Sequence, residues 1–323
     1  MPITFTEHPI LQSPTDEEIV LLGESDPKLL EELHRAHEGR IQASNEDPLR
    51  YGFDLPGWKR ISDSFLEYNE VLALGGNRSG KTTGCAKQIM DAVSKNNDGH
   101  IVCFSQNADT SIKVQQPAIW EMMPKEFKKK TKSIDGYINY SMQNGFTGSS
   151  FVFPDTRTRV DFKTYTQFSN NPTILEGFEF GFRSKAINAG LESNIGAWLD
   201  EYLGDAALVN TLRFRLATRN SKMVIGFTPI DGYTPFISDY LKAAETLETR
   251  PAALLNNKQL PIRQYSPSRD AAVVYLHSDE NPFGGYERIA KDLAGRPDDE
   301  VKVRAYGLPV KSANALLPYF NTE

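Results

Sequence analysis

One segment constrains this chain more than any other: the glycine-rich stretch GGNRSGKT at residues 75–82, which fits the pattern G-x-x-x-x-G-K-[ST] at every fixed position. An apolar stretch, residues 70–74, comes before it, and a stretch with helical character, residues 81–94, follows it. A glycine-rich turn between a strand and a helix lets several backbone N–H groups face a phosphate, and the helix adds its positive N-terminal end. We therefore expect a loop that binds a nucleoside triphosphate.

The side chains of this loop have separate expected roles. The Lys81 ammonium is expected to reach the β- and γ-phosphates, and the Thr82 hydroxyl to bind Mg²⁺. The other expected contacts come from the rest of the segment: Gly75, Gly76, Asn77, Arg78, Ser79, Gly80 and Thr83. The alternative is a chance glycine-rich turn before a helix, but a complete motif in this context rarely lacks nucleotide binding.

A pair of carboxylates, Asp200 and Glu201, follows an apolar stretch at residues 195–199. Ligands of open α/β sheets collect at the carboxyl ends of the strands. We expect Asp200 to hold Mg²⁺, directly or through water, and Glu201 to act as the general base toward the attacking water. An Asp-Glu pair alone is a weak signal, since acidic residues often end strands, but with the upstream loop it favours a hydrolase. A nucleotide kinase would not need the adjacent glutamate, and the N-K-x-D-like segment expected of a GTPase is absent.

A third strand-like stretch, residues 223–228, ends in Thr228 at the same predicted sheet edge. A hydroxyl there can sense the γ-phosphate and pass its loss to a moving element. An ordinary residue at the end of a strand is the simpler alternative for Thr228 taken alone.

Alternation of short apolar runs with helical stretches predicts the fold class. Four runs read as buried parallel strands: residues 101–105, 195–199, 223–227 and 273–276. Helices are predicted at residues 110–123, 205–217 and 235–248. This pattern predicts an α/β protein, a P-loop NTPase of the ASCE type, with a mainly parallel central sheet flanked by helices. Residues 137–165 alternate more, and we expect them to form extra antiparallel strands at a sheet edge.

Composition limits the other classes of function. A net charge of −6 argues against coating nucleic acid through bulk positive charge, although local phosphate contacts stay open. The dense basic run at residues 125–132 reads as a solvated surface rather than a DNA-contact loop. Two cysteines, Cys85 and Cys103, cannot form a disulfide framework, which fits a reducing cytosol. No apolar run is long enough to span a bilayer.

Taken in this order, the segments resemble the ATPase domain of the large terminase subunit, the DNA-packaging motor of tailed bacteriophages. GGNRSGKTT is similar to the Walker A motif of that family, AWLDE to its Walker B motif, and VIGFTPIDGYTPF to its coupling motif. The tail NPFGGYERIAKDL…VRAYGLPVKSANALLPYF is similar to the stretch with which the family's ATPase core ends. The resemblance covers roughly residues 58–320.

The resemblance implies ATP as the nucleotide and Mg²⁺ as its metal, with Glu201 as the catalytic carboxylate and Thr228 as the residue that couples hydrolysis to movement. Arg78 matches an arginine that is proposed to stabilise γ-phosphate charge in terminases, although some branches of the family carry it where this chain has Asn77. Trp58 and Arg60 fall where the family contacts the adenine, with a core position as the alternative for the tryptophan.

Residues 1–50 read as polar, acidic and helix-prone, and we expect them to form a helical N-terminal appendage. The resemblance implies that the P-loop ATPase core follows at 51–310, and then a linker at 311–323 toward an absent nuclease domain. Family members usually continue into an RNase H-like nuclease. We expect either a separated motor domain or a nuclease on another chain, and no nuclease activity from this chain.

The implied partners are double-stranded DNA, the portal protein of the procapsid, the small terminase subunit and further copies of the chain in a homo-oligomeric ring, with a monomer possible in isolation. The expected location is the cytoplasm of the infected bacterial host, transiently at the portal, without membrane contact. A neighbouring subunit is expected to complete each site with an arginine, for which the candidates are Arg157, Arg159, Arg213, Arg215 and Arg219.

Two other functions stay open. One is a helicase-like or remodelling P-loop ATPase, although the chain has no clear set of downstream helicase motifs. The other is a nucleotide-gated assembly or docking module, in which ATP binding orders an interface and hydrolysis is incidental.

Overall fold

A nine-stranded sheet forms the centre of the molecule. The computed structural model describes residues 27–128, 138–182, 194–201, 206–230 and 232–310. In chain order the strands are β1 (Glu70–Gly75), β2 (His100–Ser105), β3 (Tyr140–Ser141), β4 (Gly145–Phe146), β5 (Ser150–Val152), β6 (Arg159–Thr164), β7 (Ile195–Asp200), β8 (Lys222–Phe227), β9 (Glu245–Ala252), β10 (Lys258–Ser266) and β11 (Ala271–Leu276). The sheet has the order β5-β6-β2-β7-β8-β1-β11-β10-β9, and β3 pairs with β4 in a separate hairpin.

The six strands from β6 to β11 in this order run parallel to one another. Antiparallel strands complete both edges: β5 on one side, and β10 with β9 on the other. Every residue of β1, β7, β8 and β11 is buried, which explains their nearly continuous apolar sequences. The predicted fold class, a mainly parallel sheet with antiparallel edge strands, is confirmed.

Helices cover both faces of the sheet. They are α1 (Pro27–Glu46), α2 (Pro48–Tyr51), α3 (Pro56–Glu67), α4 (Lys81–Lys95), α5 (Ala108–Thr110), α6 (Gln116–Met122), α7 (Lys125–Lys128), α8 (Tyr165–Asn170), α9 (Ala206–Ala217), α10 (Pro235–Leu241), α11 (Tyr286–Leu293) and α12 (Asp298–Tyr306), with a π-helical segment, Ser111–Gln115, between α5 and α6.

Successive residues of β1 point to opposite faces of the sheet and so enter different apolar clusters. Val71 and Ala73 pack with the helices α3 and α4. Leu72 and Leu74 pack on the other side with α9 and α10. Both faces therefore hold β1 in place, and the loop that follows it starts from a fixed point.

Two predictions about secondary structure are wrong. The helix predicted at 235–248 ends at Leu241, and residues from Glu245 onward form β9. The backbone leaves the helical region at Lys242, which has a ψ of +116°, and turns further at Ala243, which has a φ of +56°. Pairing with β10 supplies the backbone partners of the exposed edge strand β9. Within residues 137–165, only β5 is an antiparallel edge strand, because β6 pairs parallel with β2 and is buried between it and β5.

Several sequence predictions fall wholly or partly outside the described residues. The predicted linker 311–323 and residues 1–26 of the predicted appendage lie outside them, as do residues 129–132 of the basic run. Residues 27–46 of the appendage form α1. Within the described ranges, none of the helices combines the length and the apolar character needed to cross a membrane.

Candidate nucleotide-binding site

The glycine-rich loop joins β1 to α4 at the carboxyl edge of the parallel strands. Gly80 immediately precedes α4 with a φ of +82°, a conformation that glycine adopts without strain. Gly76 lies against the end of α12, where an added Cβ would come within 2.4 Å of the Ala305 carbonyl oxygen. Two glycines of the loop thus have separate reasons: Gly80 adopts a left-handed conformation, and Gly76 allows a close backbone approach.

The loop lines an open cavity of about 480 Å³. Its lining consists of Gly76, Asn77, Arg78, Ser79, Gly80, Lys81, Thr82, Thr83, Glu201 and Thr228. The three segments singled out in the sequence therefore meet at one place: the loop after β1, the acidic end of β7 and the threonine after β8.

Lys81 and Glu201 form an ion pair at this cavity, between Nζ and Oε1. Burial by itself would lower the pKa of Lys81, but the negative charges of Glu201 and Asp200 hold that pKa above its usual range. Thr228 contacts the same carboxylate twice: its backbone N–H donates to Oε2 and its hydroxyl donates to Oε1, each at 3.2 Å. Glu201 is therefore oriented by the loop lysine on one side and by the end of β8 on the other.

The backbone that carries the two carboxylates is fixed by its own contacts. Glu201 has a φ of +48°, uncommon for a residue other than glycine, and its N–H donates to the Gly226 carbonyl at 2.8 Å. The Tyr165 hydroxyl donates to the Asp200 carbonyl at 2.9 Å. These contacts fix the end of β7, where Asp200 is buried and Glu201 lines the cavity.

Asp200 is 1% exposed, and neither of its carboxylate oxygens has a hydrogen-bond partner among the described residues. Burial raises its pKa to about 6, against the opposing effect of Lys81. A buried carboxylate without a partner is costly unless a cation binds it, and oxygen atoms are the ligands that Mg²⁺ prefers. The unpartnered carboxylate of Asp200 fits a ligand of Mg²⁺, although Asp200 is not among the residues that line the cavity; the Thr82 hydroxyl, which does line it, fits a second ligand.

Strand β8 lies between the loop strand β1 and the carboxylate strand β7. One strand inserted between these two is the arrangement that distinguishes the ASCE division of P-loop NTPases. The fold is an ASCE-type P-loop NTPase fold.

Comparison with known proteins gives structural likeness only. No protein-family model matches the chain, and no curated protein matches it. The ATPase domain of the large terminase of Thermus phage P74-26 is similar, with a TM-score of 0.44 and 12% sequence identity, over 75% of this chain and 89% of that one. An arginine-to-alanine mutant of that domain gives a TM-score of 0.43 and 12% identity, over 75% and 90% of the two chains. Both are structures of the family that the sequence motifs resemble.

Trp58 and Arg60, expected to contact the adenine, lie outside the cavity lining of this P-loop NTPase fold. Trp58 is 1% exposed and its indole N–H donates to the Gly80 carbonyl at 2.9 Å. Arg60 forms an ion pair with Glu280. Both side chains therefore bond within the protein, where Trp58 supports the phosphate-binding loop. These contacts favour the core alternative for Trp58, and the adenine contact stays a prediction.

Three of the five arginines considered for a neighbouring site are paired within the chain. Arg213 binds Glu70, Arg219 binds Glu179, and Arg159 binds Asp161. These contacts favour intrachain roles for the three.

Sequence reasoning missed two polar residues that touch the loop, Ser278 and Asn281, which donate hydrogen bonds to the carbonyls of Asn77 and Arg78. Their position directly after the predicted strand at 273–276, at the same sheet edge as the loop, was a usable signal.

Proposed function

We propose that this chain is the ATP-hydrolysing motor domain of a viral large terminase, which drives double-stranded DNA into a procapsid. The observation that carries the proposal is the meeting of Lys81 with Glu201 beside the buried, unpartnered carboxylate of Asp200. A loop lysine, a metal-binding carboxylate and a second carboxylate next to the first are what phosphoanhydride hydrolysis requires. Similarity of the motifs to the terminase family supplies the choice of ATP and of DNA packaging.

The residues divide the work of hydrolysis between them. The loop amides that have no acceptor within the described residues, such as that of Arg78, bind the triphosphate together with the Lys81 ammonium, and Thr82 and Asp200 would hold Mg²⁺. When bound, Mg²⁺ neutralises charge on the phosphate oxygens. Phosphate oxygens compete with Glu201 for Lys81, so ATP binding releases the Glu201 carboxylate from its ion pair. The released carboxylate can then accept a proton from the attacking water.

Thr228 gives the site a connection to movement. It bonds both oxygens of Glu201 and begins the segment that leads to helix α10. Motion of Glu201 during the hydrolysis cycle therefore shifts Thr228 as well. We infer that this shift moves α10 and the elements packed on it, and that the movement pulls DNA held through its phosphates.

The proposed partners are double-stranded DNA, the portal protein of the procapsid, the small terminase subunit and neighbouring copies of the chain in a ring. The proposed setting is the cytoplasm of an infected bacterium. An arginine from a neighbouring copy would raise turnover in the assembled ring by about 10³-fold or more, so the isolated domain is expected to be a slow ATPase.

Steady-state ATPase measurements test the proposal, with wild type and Glu201→Ala, each with and without procapsids and DNA. We expect wild-type turnover that rises on assembly, and a loss of about 100-fold or more in Glu201→Ala with ATP binding retained. Glu46→Ala is the control, because Glu46 is an exposed carboxylate paired with Lys125. Negligible turnover with every component present would favour a nucleotide-gated docking module. Strand separation without packaging would favour a helicase-like ATPase.

A further inference from the structure

The phosphate-binding loop is held from outside by the segment that follows β11. The Ser278 hydroxyl donates to the Asn77 carbonyl at 2.6 Å, and the Asn281 side-chain amide donates to the Arg78 carbonyl at 2.8 Å. Both donors are buried, at 0% and 9% exposure. The side-chain oxygen of Asn281 accepts from the Phe283 N–H at 3.1 Å, which fixes the orientation of its amide.

The same segment also packs directly on the loop. An added Cβ at Gly284 would lie 2.5 Å from the Arg78 carbonyl oxygen, so this carbonyl is enclosed by a donor and by a close backbone approach. Arg78 itself has a φ of +55°, unfavourable for a side chain of its size. Such a conformation persists only where the surroundings fix it, and it occurs most often at functional sites.

The geometry of a trans peptide links these outer contacts to the cavity. In a trans peptide the carbonyl and the following N–H point in opposite directions. With the Asn77 carbonyl bound by Ser278 on the outside, the Arg78 N–H is directed to the other side of the loop, where the cavity lies. Within the described residues, this N–H has no intramolecular acceptor.

Two other amides of the loop already donate hydrogen bonds within the protein. The N–H of Gly76 donates to the Leu276 carbonyl and that of Asn77 to the Arg304 carbonyl. In the peptide between Arg78 and Ser79, both groups have partners within the protein. The Arg78 carbonyl accepts from Asn281, and the Ser79 N–H donates to the Gly76 carbonyl at 3.3 Å. Ser278 therefore orients an amide that can bind phosphate, and Asn281 closes the turn that carries it.

We propose that Ser278 and Asn281 are positioning residues that preorganise the loop for a triphosphate. The inference rests on the proposed function in assuming a nucleotide at this loop, and adds residues from a different part of the chain to its binding machinery. Without the two donors, the peptides on either side of Arg78 can rotate. Triphosphate binding then has to fix them in one orientation, and this ordering lowers the affinity.

The test is the dissociation constant of ATP in the presence of Mg²⁺, measured by calorimetry alongside the melting temperature. We expect Ser278→Ala and Asn281→Ala each to raise Kd by about 3- to 10-fold, the worth of one hydrogen bond. Turnover at saturating ATP should change less than Kd, and Ser278→Thr, which keeps the hydroxyl, should restore affinity.

Two matched variants separate positioning from stability. Ser64→Ala and Asn96→Ala each remove a buried side chain that donates to a backbone carbonyl away from the loop. They should lower the melting temperature without changing Kd. Ser278→Cys keeps nearly the same volume with a much weaker donor, and it should raise Kd even if the alanine variant does not fold.

An unchanged Kd in the Ser278 and Asn281 variants, with melting temperatures that fall as in the controls, would overturn the inference and leave the proposed function standing. Absence of ATP binding by the wild type would overturn both.

Discussion

The ammonium group of Lys81 is paired with the carboxylate of Glu201, so the phosphate-binding loop and the end of β7 are joined directly across the cavity. The expected phosphate ligand and the expected general base thus neutralise each other. Binding of a triphosphate has to separate them, which makes the release of Glu201 dependent on ATP.

Lys81→Ala removes the positive charge that faces the phosphates. We expect ATP affinity to fall by at least about tenfold, because a charge-assisted hydrogen bond to a phosphate is lost. Calorimetric titration with Mg·ATP gives the measurement, with Lys95→Ala, at the far end of the same helix, as the control. An affinity equal to that of wild type would remove Lys81 from the site.

Thr228→Ala removes the hydroxyl that donates to Glu201 and leaves the backbone N–H in place. In an assembled motor we expect ATP hydrolysis to continue while DNA packaging is lost, since the carboxylate stays but its connection to α10 weakens. Thr228→Ser keeps the hydroxyl and should package DNA normally. If Thr228→Ala packages as much DNA per ATP hydrolysed as the wild type, Thr228 does not couple hydrolysis to movement.

Asp200→Asn tests the metal site. The substitution removes a buried charge that has no hydrogen-bond partner among the described residues and whose burial outweighs the attraction of Lys81, so the free energy of unfolding measured without Mg²⁺ is expected to rise. Turnover should be lost, and ATP affinity should no longer depend on Mg²⁺. A variant that still binds ATP more tightly when Mg²⁺ is added would place the metal on other ligands.

Trp58→Phe distinguishes support of the loop from contact with the base. Loss of the hydrogen bond from the indole to the Gly80 carbonyl should lower the free energy of unfolding by about 1–2 kcal/mol, as read from urea denaturation. Affinities for ATP and GTP should change by the same factor. A loss confined to ATP would restore Trp58 to the adenine site.

His277→Phe is expected to alter the pH dependence of stability. His277 is fully buried against Tyr306, with Glu280, Arg60 and Arg250 nearby, and burial lowers its pKa to about 4 from the ordinary 6.5. Its stabilising contribution is complete above pH 6.5 and is lost as the pH falls toward 4, because the unfolded chain binds the proton first.

By pH 4 the wild type should therefore have lost about 3 kcal/mol more unfolding free energy than His277→Phe, relative to neutral pH. Urea denaturation from pH 4 to pH 8 measures this difference. The exposed His34 provides the control, since His34→Gln should keep the wild-type profile. Parallel profiles for His277→Phe and wild type would contradict the assignment.

The site was predictable from sequence where backbone and side-chain chemistry are local. The loop, its Lys81 and the Asp200–Glu201 pair each follow a continuous apolar strand, and parallel strands bring their carboxyl ends to one edge. The position of Thr228 beside them followed from the same rule. The adenine contact expected of Trp58 stays a prediction: a tryptophan near the loop fits either a base contact or a core position, and its 1% exposure and its hydrogen bond to Gly80 favour the second.

What the sequence could not provide depends on contacts between distant segments. The strand β9 reads as the continuation of a helix, and only its pairing with β10 makes it a strand. Ser278 and Asn281 follow the predicted strand at 273–276, but only the pairing of β11 with β1 places them beside the loop. Pairing between strands far apart in sequence decides such matters, and residue propensities do not encode it.

The position of β8 between β1 and β7 determines where the molecule tolerates changes in sequence. Adjacent strands lie about 4.8 Å apart, so one intervening strand sets the two outer strands roughly 10 Å apart. That gap is within the combined reach of an extended lysine and an extended glutamate side chain. Insertions at the opposite edge of the sheet leave this spacing intact, whereas a distortion of β8 would draw the two charges apart and displace Thr228 at the same time.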